Sequence, residues 1–424
     1  MWKFNDEIVN FKISSNCIIF AKSRIYNNYN NQTFTIMNNP SIMGKLPFLF
    51  LALFLFSCKP TDSNVINFVD ALEANETPLL SSIASEIKYI PLESNSESPI
   101  DIVTNLHIND SLIVIECHRM KFFRVFDKDG NYLRTIDRKG NGPEEYSTFF
   151  GSAFEDDGGI VSVLQRNMIK RYNSLGEYVG SIQLDQSQTR YFRELNYIGD
   201  NLYKLNSSCG DSTYIEIFDI EGKRANSTFA AKSYTQRIGE ISLTLPPTIT
   251  YTNDLFYVIG VGNDSIYRYD KELNSSLAYM IDFGKYDYLN QSNDINDLIQ
   301  FGQSFFIELD NCLIMSLALP HKEFSHIKGD NLLKGGHMLV YDKLSGETLI
   351  PQPDPVYNIS GFRNDIDKGP SFSPSYMYGN KMYMFIDAIN FLEYAEKCKS
   401  EEMKKVAAKI TEESNPVLVE VTLK

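Results

Sequence analysis

Residues 105–116 read NLHINDSLIVIE, and residues 250–260 read TYTNDLFYVIG. Each is a strand of alternating apolar residues, a tight polar turn, then a second alternating strand. The same element recurs at SAFEDDGGIVSVL (152–164), LNYIGDNLYKLN (195–206), FIELDNCLIMSL (306–317) and SYMYGNKMYMFI (375–386). Asn-Asp, Asp-Gly, Gly-Asp, Asp-Asn and Gly-Asn are hairpin turn dipeptides. The two-residue alternation around them marks strands with one packed face.

A second hairpin follows most copies: FFRVFDKDGNYLRTI (122–136), IKRYNSLGEYVGSI (169–182), YIEIFDIEGKRANSTF (214–229), SIYRYDKELNSSLAYMI (265–281) and MLVYDKLSGETLI (338–350). Two hairpins make a four-stranded antiparallel unit. The first turns fall at Asp110, Asp157, Asp200, Asp254, Asp310 and Asn380, spaced 47, 43, 54, 56 and 70 residues apart. A period of this size with four strands per repeat predicts an all-β fold, a six-bladed β-propeller, over a β-sandwich with unspaced hairpins. A chain this long strains a single ordinary core, but a repeat packs only on its neighbours.

The sixth unit has only one strand after its first hairpin, PVLVEVTLK (416–424). The missing strand is available in EIKYIPLES (86–94). Pairing the two would close the ring and leave no sheet edge at the seam. Between the hairpin and the last strand, FLEYAEKCKSEEMKKVAAKI (391–410) has helical spacing, so a small helical insertion is expected near the C-terminus.

The Asp-x-x-Gly second turns, the loop Arg138-Lys-Gly-Asn-Gly-Pro-Glu-Glu-Tyr146 and the ending Glu413-Ser-Asn-Pro-Val-Leu-Val419 resemble the exported six-bladed β-propeller lipoproteins with NHL-like or TolB-like blades. The resemblance covers about 86–424. It implies fold and export, and supplies no catalytic residue.

The N-terminal part carries its own pattern. Met43-Gly-Lys45 is a basic start, Leu46–Phe56 is apolar apart from Pro47, and Leu55-Phe-Ser-Cys58 resembles a bacterial lipobox. Eleven apolar residues rise about 16 Å as a helix, half of what a bilayer requires. Residues 43–57 therefore read as a lipoprotein signal peptide, with Cys58 as the lipid attachment site. Residues 1–42 lack a period and read as a mis-called extension before a true start at Met43. Intact mass of the precursor tests this; a native precursor containing Trp2 overturns it. Residues 58–85, beginning with the polar Lys59–Asn64, are expected to form a tether. The implied localisation is the cell envelope, held to the outer membrane by lipid.

The chain carries a formal charge of −14, and residues 58–424 carry −17. That balance argues against a nucleic-acid partner. Cys117, Cys209, Cys312 and Cys398 lie far apart with no CxxC pair, and are expected as free buried thiols.

Local chemical motifs are missing. Asp127-Lys-Asp-Gly-Asn131 starts like a calcium loop but puts Tyr132 and Arg138 where Gly and Glu are needed. His321 and His326 do not have helical metal-pair spacing. His107, His118 and His337 read as structural, and Asp156-Asp157 as a solvated turn. Lys139-Gly-Asn-Gly-Pro143 is a poor phosphate cradle and reads as a shaped inter-blade turn. Neither a nucleophile elbow nor a dinucleotide fingerprint occurs. No catalytic residue, metal or cofactor is assigned.

The positions of long segments are more informative. In a propeller the loops between second and third strands, and those between blades, lie on one face. The segments 137–151, 230–247, 282–303, 317–336, 351–374 and 388–415 all fall there, and Asp282, Tyr286, Arg363, Asp365 and Tyr376 lie within or next to them. Long loops on a rigid frame concentrate binding residues. The expected function is an envelope propeller binding a ligand or partner protein on this face. A propeller-type glycan hydrolase or lyase, or a structural envelope component, are the alternatives.

Overall fold

The structure is a computed structural model that describes residues 64–74, 76–117, 121–147, 150–155, 158–185, 190–324 and 337–424. The expectations for 1–57, Cys58, His118, Asp156-Asp157 and His326 lie outside the described residues.

The described chain begins with β1 (Val65–Asn67) and a helix over Phe68–Glu73, whose first turn is capped by Asn67 accepting from the Asp70 amide at 3.1 Å. β2 (Ala84–Pro91) follows. Blade one is β3 (Val103–Ile108), β4 (Leu112–Cys117), β5 (Phe122–Asp127) and β6 (Tyr132–Ile136). Blade two is β7 (Gly151–Glu155), β8 (Ile160–Gln165), β9 (Met168–Tyr172) and β10 (Tyr178–Gln183). Blade three is β11 (Tyr191–Tyr197), β12 (Leu202–Cys209), β13 (Ser212–Asp219) and β14 (Arg224–Lys232). The connection to blade four, part of the long segment 230–247, is not irregular throughout: it carries a separate hairpin, β15 (Tyr234–Ile238) and β16 (Ile241–Leu245).

Blade four is β17 (Thr248–Thr252), β18 (Leu255–Ile259), β19 (Ser265–Tyr269) and β20 (Ser275–Asp282). Blade five is β21 (Gln300–Glu308), β22 (Cys312–Ala318), β23 (His337–Asp342) and the short β24 (Thr348–Leu349). Blade six is β25 (Tyr376–Tyr378), β26 (Lys381–Ile386), β27 (Val417–Leu423) and, outermost, β2. The fold is a six-bladed β-propeller.

Ring closure follows the expected pairing. β2 runs antiparallel to β27 with Lys88 opposite Glu420 and Ile90 opposite Leu418. Asn415 fastens the seam. Its amide nitrogen donates to the Glu93 and Ser98 carbonyls at 2.7 and 2.9 Å, and its side-chain oxygen accepts from the Ile100 amide at 2.9 Å. A buried side chain that satisfies three backbone groups of another segment explains the Ser-Asn-Pro stretch before the last strand.

The core is divided among the blade interfaces. Val114, Phe123 and Val125 of blade one meet Phe154, Val161, Val163 and Tyr172 of blade two. Equivalent clusters join each following pair, and Leu418 and Tyr383 of blade six meet Leu106 and Ile115 of blade one. Each large side chain fully buried this way contributes about 1.5–3 kcal/mol of transfer free energy.

The Asp-x-x-Gly turns serve those interfaces. Asp127 Oδ1 accepts from the amides of Asp129 and Asn131, both at 2.9 Å, so this turn is a hairpin, as read. Gly222, at φ +81°, brings its α-carbon so close to the preceding blade that a Cβ would lie 2.0 Å from the Gln183 carbonyl oxygen. The Gly222 carbonyl accepts from the Asp185 amide at 2.8 Å. Gly130 does the same against Pro91 and Glu93.

The 58–85 tether requires correction. From Val65 onward this segment is packed on the ring. β1 adds a fifth, parallel strand to blade four, with Val65 opposite Met280 and Asn67 opposite Asp282. Phe68 is fully buried among Phe283, Tyr286, Phe301 and Phe324, at ring separations of 5.8–6.1 Å. The Leu80 amide donates to the Arg363 carbonyl at 2.9 Å. The polar composition of 59–64 obscured the apolar Ile66, Phe68, Ala71 and Leu80 that follow, all of which are buried.

The helical insertion is present as Ala388–Lys397 and Glu401–Ala407, started by Asp387 and Ser400 as N-caps. It covers the seam. Phe391 and Met403 are fully buried, and Phe391 packs edge-on to Tyr89 of β2 at 5.6 Å.

Candidate functional site: the axial channel

The innermost strands β3, β7, β11, β17, β21 and β25 surround the propeller axis. At the long-loop end they enclose a cavity of about 440 Å³. Its wall includes Thr104, Asn105, Ser152, Glu194, Asn196, Thr250, Thr252, Ser304, Ser375 and Tyr376. A second space of about 270 Å³ continues toward the short-turn face and shares Asn105, Ser152, Asn196, Tyr251 and Tyr378 with the first. Hydroxyl and amide side chains dominate because an innermost strand has no further strand to pack on. Pockets of this volume suit small molecules.

Glu116 of β4 is the most buried acid in the wall, at 7% exposure. Thr104 Oγ1 donates to its Oε1 at 2.9 Å, and the Ser152 hydroxyl donates to its Oε2. His107 Nε2 is 3.0 Å from Ser152 Oγ, and Nδ1 is 3.5 Å from the Tyr378 hydroxyl. Burial lowers the His107 pKa to about 4, so the ring is neutral near pH 7. An Nε2–H tautomer then donates to Ser152 Oγ, and the Ser152 hydroxyl donates in turn to Glu116 Oε2. This is not a nucleophile triad, because the carboxylate holds the serine rather than orienting the histidine.

A second acid, Glu194 of β11, faces the same cavity from a bulge where its φ is +51°. It accepts from Asn206 Nδ2 and lies 3.5 Å from the fully buried Lys204 ammonium. Lys204 also donates to Asn196 Oδ1 at 3.2 Å. Burial lowers the Lys204 pKa, and the Glu194 charge works in the opposite direction. Among the described residues no group of three or more His, Cys, Asp or Glu is placed to hold a metal ion.

The five residues singled out by loop position do not form one site. Tyr376 lies in the channel wall, its pKa pushed up to about 12 by burial and the Glu116 charge. Asp282 sits at the outer end of β20 and accepts from the Gly284 amide at 2.9 Å. Tyr286 packs on Phe68 and Phe324 at the rim. The Arg363 backbone pairs with Leu79. Asp365 accepts from the Ser81 amide and hydroxyl at 2.9 and 2.5 Å; burial opposes its ionisation, but these bonds outweigh it and lower its pKa. The last three therefore hold the N-terminal segment down.

Other expectations resolve similarly. The glycine loop is an inter-blade turn: Tyr146 is fully buried with its hydroxyl donating to the Lys121 carbonyl at 2.7 Å, and Lys170 donates to the Pro143 carbonyl at 2.9 Å. Cys117, Cys312 and Cys398 are free and buried, while Cys209 is free but only half-buried. His337 is half-buried and its pKa is lowered by burial.

The channel wall was missed by loop-based reasoning, yet it left a signal. Each repeat has a Thr, Ser or Asn four to six residues before its first turn: Thr104, Ser152, Asn196, Thr250, Ser304 and Ser375.

Comparison with known proteins now identifies the chain's relatives. The model of a domain of unknown function, DUF4934, matches residues 63–422. The chain belongs to the DUF4934 family. The match opens at residue 63, ahead of β1 and well before the first blade, so the packed N-terminal segment is part of the DUF4934 domain. Among solved structures, a protein of Bacteroides fragilis NCTC 9343 described as a candidate exported protein matches at 15% identity and TM-score 0.57, over 85% of this chain and 99% of that one. A DUF4221 member from Bacteroides vulgatus ATCC 8482 matches at 12% identity and TM-score 0.47, over 80% of this chain and 97% of that one. At such identity the first likeness speaks for the fold alone. No curated protein sequence matches the DUF4934 chain. Among the described residues no helix is long and apolar enough to cross a membrane.

Proposed function

We propose that this chain is an exported, lipid-anchored binding propeller of the cell envelope, attached through Cys58 to the outer membrane, with NHL-like blades and a ligand site in the axial channel on the long-loop face. The observation that carries the binding reading is the cavity of about 440 Å³ walled by polar side chains from all six innermost strands around the buried Glu116. Export is supported by the basic, apolar and Cys pattern of 43–58, and by the description of the Bacteroides fragilis relative.

Thermal-shift screening of the purified protein against small polar molecules, envelope glycans and peptides tests the reading. A ligand at about 100 times its dissociation constant adds roughly 2.7 kcal/mol. The expected hit loses its shift in a Tyr376→Ala variant. Hits unaffected by channel substitutions would place binding elsewhere and defeat the proposal. Mass spectrometry of the membrane fraction tests the anchor: the expected mature N-terminus is an acylated Cys58, and an unmodified one sinks that part.

A further inference from the structure

We propose that the axial channel binds an organic cation, an alkylammonium or guanidinium group, with Glu116 as its counter-ion; this deepens the channel-binding reading and rests on it. The other buried carboxylates among the described residues are paired with cations. Glu155 receives a two-point bond from Arg171, at 2.9 and 2.5 Å. Glu216 lies 2.8 Å from Arg190 and 2.7 Å from Arg224. Glu420 is 2.5 Å from Lys381, and the half-buried Glu308 is likewise paired, 2.6 Å from Lys343. Glu116 is equally buried, yet its hydrogen-bond donors are the neutral hydroxyls of Thr104 and Ser152. No Lys or Arg among the described residues forms an ion pair with it.

A buried carboxylate without a counter-charge costs free energy that a cation entering the cavity would recover. The surroundings suit such a guest. Glu194 adds a second carboxylate to the same wall, and the one ammonium near it, Lys204, is fully buried behind the innermost strand. Phe150, Tyr251, Phe305 and Tyr376 supply aromatic rings, which attract cations. The hydroxyls and amides at Asn105, Ser304 and Ser375 can accept from N–H groups. The net negative charge of the chain concentrates cations around it. An anionic ligand would meet repulsion from Glu116, Glu194 and the net charge of the chain.

The test uses isothermal titration and thermal shift on the purified protein with cadaverine, agmatine and choline as probes, and neutral N,N′-diacetylcadaverine as the comparison. At least one cation should bind and the diacetyl compound should not. Glu116→Gln should weaken that binding by about 30-fold or more, the usual scale for removing one partner of a buried charge pair. Thr104 is exposed, so Thr104→Lys should fold normally, place an ammonium beside Glu116 and abolish probe binding. Equal binding of the neutral compound, unchanged affinity in Glu116→Gln, or no binding of any cation each overturns the inference. If a neutral ligand from the wider screen still binds and is lost in Tyr376→Ala, the channel remains a binding site and only the cation assignment falls. If no ligand binds, both fall.

Discussion

Replacing Phe68 by alanine asks whether the N-terminal segment belongs to the fold or hangs from it. Phe68 is fully buried, with four aromatic neighbours drawn from blade four's trailing loop, blade five's first strand and the turn at His321–Phe324. Removing a buried phenylalanine costs about 3–5 kcal/mol through lost transfer free energy and the cavity left behind. With an unfolding entropy of about 2.1 cal/mol/K per residue over the described fold, the midpoint should fall by about 4–7 °C. Denaturant and thermal unfolding measure the change, and limited proteolysis locates it. Detachment of 65–83 before the ring opens would appear as early cleavage there, with a reduced global loss. Glu73→Ala, which removes an exposed pair to Lys285, should cost under about 0.5 kcal/mol. A Phe68→Ala protein indistinguishable from wild type in both assays would refute the packing described here.

Gly222→Ala should destabilise by about 2 kcal/mol or more, because it combines a left-handed φ with a clash against backbone; Gly210→Ala, also left-handed but with open space around it, should cost about 1 kcal/mol, as read from denaturant midpoints. His107 titrates near 6.5 when unfolded and near 4 when folded, so the unfolded state takes up the proton first. Stability from this group is complete above pH 6.5 and drains away as pH falls toward 4; between pH 7 and 5 the loss is about 2 kcal/mol, and His107→Gln should flatten that part of the profile. Among Cys117, Cys209, Cys312 and Cys398, native thiol labelling should reach Cys209 alone on a timescale of minutes, since burial shields the others and raises the pKa of Cys117 and Cys312 to about 12; mass mapping reads the result.

The repeat was legible because hairpin turns and two-residue alternation are local signals. Six first-turn positions located six blades, and the unpaired PVLVEVTLK pointed to its partner near residue 90. The parallel strand β1 was not legible. Three residues pairing with a strand more than 200 positions away leave no period, and their polar flank reads as linker. Loop position located Tyr376 in the channel but also selected Asp282, which caps the turn after β20, and Tyr286, Arg363 and Asp365, whose roles depend on the unforeseen segment. Glu116 escaped notice because it sits on a second strand, where alternation treats it as one more interior position. That it faces the axis follows only from how β3 and β7 bring Thr104 and Ser152 to it.

The β1 segment also changes how the ring would bear a mechanical load. A pull applied upstream of Asn64 runs along β1, lengthwise to its bonds with β20, so those bonds resist together in shear rather than opening one by one. The Phe68 side chain must then leave its aromatic pocket before tension reaches Leu80, Ser81 and finally β2. Since β2 is the strand that closes the ring, the segment acts as a strain relief. Force on the leading end is spent on the rims of blades four and five, and the seam stays shut.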